Sequence, residues 1–352
     1  MNHSRSDDAA AFATLTPEFM LDALDAVGLH GDGRLMQLNS YENRVLQVHL
    51  EDGRVAVAKF YRPGRWSDAQ ILEEHAFAAE LADAEVPVAA PWPLGDAAET
   101  LVHYQGQRFA ATGRQGGRAP ELEDPAVLTW IGRLLGRQHN VGRRQPFAHR
   151  LDWIGSAPGA AARDLVLELQ ALPIEIESDW RDTVDRCLAA IDAAFAAVPG
   201  LRTLRLHGDC HPGNILWTPD NGPHFVDLDD AVNGPAVQDL WMLLSGDALS
   251  ARQQLACVLE GYETVAEFDR RELALIEPLR TLRMIHHSAW LARRWGDPAF
   301  PLAFPWFGTP NYWSDQVVKL REQLDAMRSA SETPAPPAAP ADDDEPYRFW
   351  DE

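Results

Sequence analysis

Asp209 and Asn214 stand five positions apart in Leu206-His207-Gly208-Asp209-Cys210-His211-Pro212-Gly213-Asn214, and their types and spacing could do chemistry together. A carboxylate can take the proton of a hydroxyl nucleophile, and an amide oxygen is a hard ligand for a small divalent cation. Order and spacing match the phosphoryl-transfer loop H-R-D-L-x-x-x-N, with Gly208 at the arginine position, so Asp209 is the expected base. Further carboxylates follow in Phe225-Val226-Asp227-Leu228-Asp229-Asp230. An acidic hairpin end that is merely solvated is the plainer alternative, and the agreement in order and spacing weighs against it.

Strand geometry says how those groups could meet. The short apolar runs Ile215-Leu216-Trp217 and His224-Phe225-Val226 flank Thr218-Pro219-Asp220-Asn221-Gly222-Pro223, a cluster of turn formers that predicts a β-hairpin. Pairing Trp217 with His224 puts Asn214 opposite Asp227. A turn centred on Asn221-Gly222 puts Asp229 there instead, so pattern alone leaves both open. Either register presents an amide oxygen and a carboxylate together, a donor set that suits Mg²⁺ completed by substrate phosphates.

These groups need a cation facing them. Only two of the 31 basic residues are lysine, Lys59 and Lys319. Lys59 ends the apolar strand Val55-Ala56-Val57-Ala58-Lys59, where alternation puts Val55, Val57 and Lys59 on one face, the face expected to look into a cleft. That placement fits a lysine reaching nucleotide phosphates, against the alternative of a snorkelling lysine at a sheet edge. A helix over 67–81, with Ser67 as N-cap, carries Glu73 and Glu74; one should pair with Lys59. Glu74 is favoured because Phe77 and Leu81 place it on the apolar side. Strands are predicted at 35–38, 44–50, 54–60 and 108–112, and helices at 17–28 and 126–140. The turn Asn39-Ser40-Tyr41-Glu42-Asn43 has no glycine, yet the Ser40 hydroxyl and backbone N–H groups could still hold a phosphate oxygen. Neither G-x-G-x-x-G nor G-x-x-x-x-G-K-[ST] occurs, which argues against a Walker-type site.

Composition bounds the rest. At 352 residues two lobes are expected, divided at the glycine-rich joint 113–118: residues 1–112 β-rich and nucleotide-binding, 113–328 mostly helical and catalytic. Residues 329–352 are rich in proline and acid and predict a disordered tail. The net charge of −22 argues against a nucleic-acid partner. Three scattered cysteines indicate neither a disulfide framework nor zinc, and no long apolar run suggests a membrane span. A soluble cytoplasmic monomer is the expectation. Asp239, at the head of an apolar segment, is expected to cap a helix. His207 is expected to brace the loop. The histidines lack H-E-x-x-H spacing, and G-x-S-x-G is absent, so zinc and serine-hydrolase chemistry are disfavoured.

With Lys59, Asp209, Asn214 and Asp227 lined up, the chain resembles the aminoglycoside-phosphotransferase and choline-kinase-like branch of the protein-kinase-like fold, whose loop reads H-G-D-x-H-x-x-N. Longer blocks are similar to bacterial stress-response kinases within it, among them Leu38-Asn39-Ser40-Tyr41-Glu42-Asn43-Arg44-Val45, Val57-Ala58-Lys59-Phe60-Tyr61-Arg62-Pro63 and Asn233-Gly234-Pro235-Ala236-Val237-Gln238-Asp239-Leu240-Trp241. The resemblance spans roughly residues 15–325. It implies a bilobal α+β fold and ATP- and Mg²⁺-dependent phosphorylation of Ser/Thr in protein substrates, the protein itself included, during stress. It also implies roles by position: Asp209 as proton acceptor, Asn214 and Asp227 as Mg²⁺ ligands, Lys59 and Glu74 as the phosphate-positioning pair, Ser40 over ATP. Asp227 is thereby preferred to Asp229. A small hydroxylated metabolite is the alternative acceptor, and an inert binding module is disfavoured by the complete set. Only twelve positions separate Asp227 from Asp239, too few for a long activation loop.

Overall fold

The computed structural model describes residues 15–332. The expectations for residues 1–14, and for the tail from 333 onward, lie outside them. Thr16 opens α1 (Pro17–Asp25) by accepting a hydrogen bond from Phe19 N. The helix lays Met20 and Leu24 on an antiparallel sheet built from β1 (Gly31–Leu38), β2 (Arg44–Leu50) and β3 (Val55–Phe60). After α2 (Asp68–Asp83) the sheet is completed by β4 (Val102–Tyr104) and β5 (Gln107–Gly113). Strand order is β1-β2-β3-β5-β4. In β3 the alternation works as the pattern requires: Ala56, Ala58 and Phe60 are buried with α1, leaving Val55, Val57 and Lys59 on the opposite face. Lys59 is fixed between Val45 on β2 and Ala110 on β5. Phe60 stacks on Phe109 at 5.0 Å between ring centres, and burying each ring contributes roughly 1.5–3 kcal/mol.

Helix α2 starts where the sequence says it should. Ser67 accepts from Gln70 N while the Gln70 side chain accepts from Ser67 N, a closed capping box. The segment 113–118, read as a flexible joint, is tied down instead: Arg118 and Trp217 exchange two backbone hydrogen bonds of 2.7 and 3.1 Å. Backbone groups at such a crossing need partners, and an antiparallel bridge supplies them.

The second lobe is mostly helical: α3 (Pro125–Gly142), α4 (Ala157–Glu168), α5 (Ile174–Ala196), then β6 (Leu204–Leu206), β7 (Ile215–Thr218), β8 (Gly222–Phe225) and β9 (Val232–Gly234). Helices α6 (Gln238–Trp241), α7 (Ala248–Glu263), α8 (Ile276–Arg294), α9 (Ala299–Ala303) and α10 (Pro310–Glu332) follow. Trp180 of α5 meets Trp313 of α10 edge to face, both fully buried, so part of the aromatic-rich C-terminal segment is core. The architecture is a bilobal α+β fold. Residues 329–332, assigned from composition to the tail, continue α10. Among the described residues no helix is long and apolar enough to cross a membrane.

Two short strand pairs position the motif residues: β6 with β9, and β7 with β8. The β7–β8 hairpin forms, but in neither expected register. Leu216 pairs with His224 and Trp217 with Pro223. The connection is a three-residue turn, Pro219-Asp220-Asn221, closed by Gly222 at φ +69°, a bulged turn whose geometry shifts the ladder by one residue. Val226, not Asp227 or Asp229, therefore meets Asn214, donating to its carbonyl at 3.0 Å.

Candidate active site

The loop carrying Asp209 is held from behind by Asp239. Its carboxylate accepts from His207 N and Gly208 N, both at 2.8 Å, and from His139 Nε2 at 3.2 Å. This corrects the expected cap: Asp239 lies inside α6 and makes no cap of it, because its oxygens are committed to the loop. Burial lowers the pKa of His139 and keeps it neutral, with Nδ1 facing Tyr262 Oη at 2.9 Å. His207 is fully buried, with Nε2 donating to Val226 O at 2.9 Å and Nδ1 facing Asp209 N at 3.4 Å. Gly208 sits at φ +81°, and a Cβ there would lie 2.0 Å from Asp230 O, so the position that is arginine in the general motif must be glycine here.

Asn214 ends a 3₁₀ turn over Pro212–Asn214. Its side-chain N–H donates to Asp209 O at 3.0 Å and reaches Asp209 Oδ2 at 3.4 Å, which turns the amide oxygen the other way. Asp227 takes the left-handed conformation, φ 61° and ψ 67°, rare for a residue with a Cβ and costing on the order of 1–3 kcal/mol. Its side chain is 51% exposed. The next residues form a 3₁₀ turn, Leu228–Asp230, and β9 follows at once, so the short stretch to Asp239 is filled by structure.

Lys59 reaches this corner from β3. Its Nζ lies 2.8 Å from Asp227 Oδ1 and 2.9 Å from Asp229 Oδ1. Burial works to lower the ammonium pKa, but the two carboxylates outweigh it and hold the pKa well above its ordinary value. Asp229 is buried, and its other oxygen meets Asn43 Nδ2 and, at 3.4 Å, Arg65 Nη1. Although burial opposes ionisation, Lys59 and Arg65 hold this carboxyl far below the usual range.

The expected Lys59–Glu74 ion pair does not form, because the aspartates take the ammonium. Glu74 is buried in the same charge cluster, where burial first, offset by Lys59 and reinforced by Asp229, raises its pKa to about 7. Its Oε2 has no hydrogen-bond partner. Glu73 is turned away, accepting from Ala148, His149 and Arg150 N–H groups at 2.6 to 3.1 Å. Ser40 lies in the β1–β2 turn with Oγ accepting from Asn43 N at 3.1 Å.

Sequence reasoning missed the charges around this turn. Glu42 receives Arg294 at 2.9 and 3.1 Å and Trp290 Nε1, all from α8, while buried Arg62 donates to Tyr41 O at 3.1 Å and Asp297 at 3.0 Å. Arg62 and Glu42 belong to blocks the sequence singles out, as do Trp290 and Arg294 in Ala289-Trp290-Leu291-Ala292-Arg293-Arg294-Trp295, but nothing within those blocks says that they meet. Beside Asp209 opens a cavity of about 590 Å³ between α4 and α8. Arg283 of α8 enters it with Nη1 2.6 Å from Asp209 Oδ1.

As a divalent-cation site the donors fit. Asn214 keeps its oxygen, Asp227 keeps its Oδ2, and both lie at the cleft. Among the described residues no three His, Cys, Asp or Glu side chains are grouped to hold a metal alone. Asp229, already in contact with Lys59, Asn43 and Arg65 and only 6% exposed, is more committed within the protein than Asp227.

The comparisons agree with this geometry. A family model described as the phosphotransferase enzyme family matches residues 34–276. Stress response kinase A of Salmonella choleraesuis is 49% identical over 90% of this chain and 95% of its own length. The serine/threonine protein kinase RdoA of Salmonella typhimurium matches with the same identity and shares. Stress response kinase A of Escherichia coli K12 is 46% identical over 92% of this chain and 97% of its own. Among solved structures, an amicoumacin kinase in complex with AMP-PNP, Ca²⁺ and Ami superposes with TM-score 0.70 at 17% identity, over 93% of this chain and 97% of that one. A spectinomycin phosphotransferase gives 0.61 at 15% identity, over 88% and 99%. The fold, the family model over most of the chain and relatives matched nearly end to end give one answer: this chain belongs to the phosphotransferase enzyme family and is a phosphotransferase of its kinase branch.

Proposed function

We propose that the protein is an ATP- and Mg²⁺-dependent serine/threonine protein kinase acting in a stress response, with its own hydroxyls among the candidate acceptors. The observation that carries this reading is the unbroken path of contacts from Asp209 through Asn214 and the adjoining Val226-Asp227 to Lys59. It supports reading Asp209 as proton acceptor, Asn214 and Asp227 as hard oxygen ligands and Lys59 as the facing ammonium. The printed names of the nearly full-length relatives support the protein-kinase part.

In this reading Asp209 orients the acceptor hydroxyl and takes its proton as the oxygen attacks the γ-phosphorus. Mg²⁺ held by Asn214 and Asp227 would offset phosphate charge. Lys59 meets the α- and β-phosphates with little rearrangement, because the sheet and two aspartates already fix it. Glu74 acts on Lys59 through the field of the buried cluster rather than by an ion pair. The Ser40 hydroxyl, accepting from Asn43, still has its own proton to donate to a phosphate oxygen. A cytoplasmic monomer fits this reading. A second reading, a small hydroxylated acceptor, is favoured by the cavity beside Asp209.

The test is transfer of labelled phosphate from ATP to a protein mixture and to a panel of small alcohols, with Asp209→Asn as control. Loss of a general base costs on the order of 10²–10⁴ in rate, so the variant should bind ATP normally and transfer almost nothing. Wild-type turnover by Asp209→Asn removes the assignment; label on small alcohols alone selects the second reading.

A further inference from the structure

The acceptor side of the cleft has the wrong charge for this protein. The chain as a whole carries −22, yet the cavity beside Asp209 is lined by four arginines, Arg65, Arg283, Arg293 and Arg294, against three aspartates. The aspartates are all engaged inside the protein. Asp152 accepts from Asn233 Nδ2 at 2.9 Å, Asp230 is paired with Arg65 at 2.6 Å, and Asp209 is paired with Arg283 at 2.6 Å.

The arginines are not equivalent. Arg65 and Arg294 have side chains 12% and 6% exposed and are held by Glu42, with Asp229 and Asp230 also on Arg65. The Arg283 side chain is 42% exposed, and the carboxylate it holds is the one that must accept the substrate proton. Positions 283, 286, 290, 293 and 294 form one face of α8, so this wall is cationic. The opposite wall, from α4, offers small apolar residues such as Ala157, Ala161 and Ala162.

Two requirements meet at Arg283. Asp209 Oδ2 already faces Asn214 Nδ2 at 3.4 Å and His211 Nε2 at 3.5 Å, so a hydroxyl reaches the carboxylate more freely once Arg283 leaves Oδ1, and an arginine leaves a carboxylate most readily for another anion of matching planar geometry. We infer that Arg283 is a specificity-determining residue that trades Asp209 for an acidic group of the acceptor, so that this enzyme phosphorylates hydroxyls carried next to a carboxylate. This rests on the kinase reading above and adds the acceptor's charge to it.

In the step itself the acceptor carboxylate takes the Arg283 guanidinium, and the freed Asp209 accepts the hydroxyl proton. The hydroxyl oxygen bonds to the γ-phosphorus of ATP as the bond from that phosphorus to the bridging oxygen breaks, and ADP leaves with that electron pair. An uncharged or basic neighbour leaves Arg283 on Asp209, or adds a second cation beside it. Like charge is rejected and opposite charge admitted.

The experiment compares three serine peptides identical except for Glu, Ala or Arg beside the serine, together with N-acetylserine and its amide. Wild type, Arg283→Ala, Arg283→Lys and Arg283→Glu are assayed with labelled ATP, with circular dichroism melts checking the fold. The expected result is kcat/KM about tenfold or more higher for the Glu peptide than for the Ala peptide in wild type. That preference is lost in Arg283→Ala, partly kept in Arg283→Lys, and reversed toward the Arg peptide in Arg283→Glu. A merely structural arginine would lower all peptides alike and reverse nothing. Equal turnover of the three peptides by wild type, or an acidic preference that survives Arg283→Ala, overturns the inference while leaving the kinase reading intact. Label on N-acetylserine but not its amide or any peptide keeps the charge preference and removes the protein acceptor. No label in any arm removes both.

Discussion

The two sides of the cleft solve opposite electrostatic problems. On the nucleotide side Lys59, Asp227, Asp229, Arg65 and Asn43 form a lattice in which Asp229 touches three partners and is only 6% exposed at its side chain. On the acceptor side Asp209 meets one guanidinium, Arg283, whose side chain is 42% exposed, with His211 Nε2 3.5 Å from the other Asp209 oxygen. Both contain short ion pairs, but water screens the Arg283 end of the second and reaches the first only at its Asp227 edge, leaving Lys59 and Asp229 shielded. The buried lattice fixes geometry before any ligand arrives, which is what positioning phosphates requires. The exposed pair can be exchanged at small cost, which is what admitting different acceptors requires. The same kind of bond therefore does different work on either side.

The largest stability effect should come from the lattice. Asp229→Asn keeps the shape but leaves Lys59 and Arg65 short of a buried negative charge, and breaking a buried pair from one side costs about 3–5 kcal/mol. Urea unfolding at pH 7 measures it. The folded-state pKa of Asp229 lies below its ordinary value. Its contribution is therefore present above the unfolded pKa and is lost as pH falls through the folded one, so pH 7 shows it in full. A loss under about 1 kcal/mol would mean that Asp227 and Asp230 compensate and the lattice is less rigid than its burial suggests.

Glu74 sharpens the contrast by running the other way. Its carboxyl, buried without a partner on Oε2 and facing two other carboxylates across Lys59, has its pKa raised to about 7. The stability tied to holding its proton is complete below the ordinary value of 4.5 and disappears as pH rises through about 7. Glu74→Gln carries the uncharged form permanently. Relative to wild type it should gain on the order of 1–3 kcal/mol between pH 5 and pH 8. Parallel stability curves for the two proteins over that range would show that Glu74 titrates normally.

How much of this was legible in the sequence depended on range. Lys59 was readable because strand alternation and lysine scarcity are local facts, and Ser67 because a capping box spans four residues. Pattern brings Asn214 near this acidic run, but the ladder falls one residue from one expected register and three from the other, because Gly222 closes a bulged turn that composition does not distinguish from a two-residue one. Glu74 faces inward as the pattern says, while Lys59 pairs instead with Asp227 and Asp229, which arrive from 168 and 170 positions beyond it. Asp239 looked like a cap because a cap is the local use of an aspartate at a helix start; its actual partners, His139, His207 and Gly208, come from another helix and another loop. Arg283 had no signal at all: one arginine on a helix rich in them means something only once α8 is laid beside Asp209.

The smallest stability effect should come from that arginine, and this is where the comparison is most exposed. Removing Arg283 deletes an ion pair of 2.6 Å, shorter than either contact of Lys59 with its aspartates. If length alone measured strength, Arg283→Ala would rival Asp229→Asn. Screening says otherwise, since the Arg283 side chain is 42% exposed and that of Asp209 20%, and ion pairs that water reaches contribute about 0–1 kcal/mol. Arg283→Ala should therefore unfold in urea within about 1 kcal/mol of wild type, and raising the salt should narrow even that difference. A loss comparable to that of Asp229→Asn would show that Arg283 belongs to the fixed frame of the active site, and the distinction between a locked nucleotide side and an exchangeable acceptor side would fall with it.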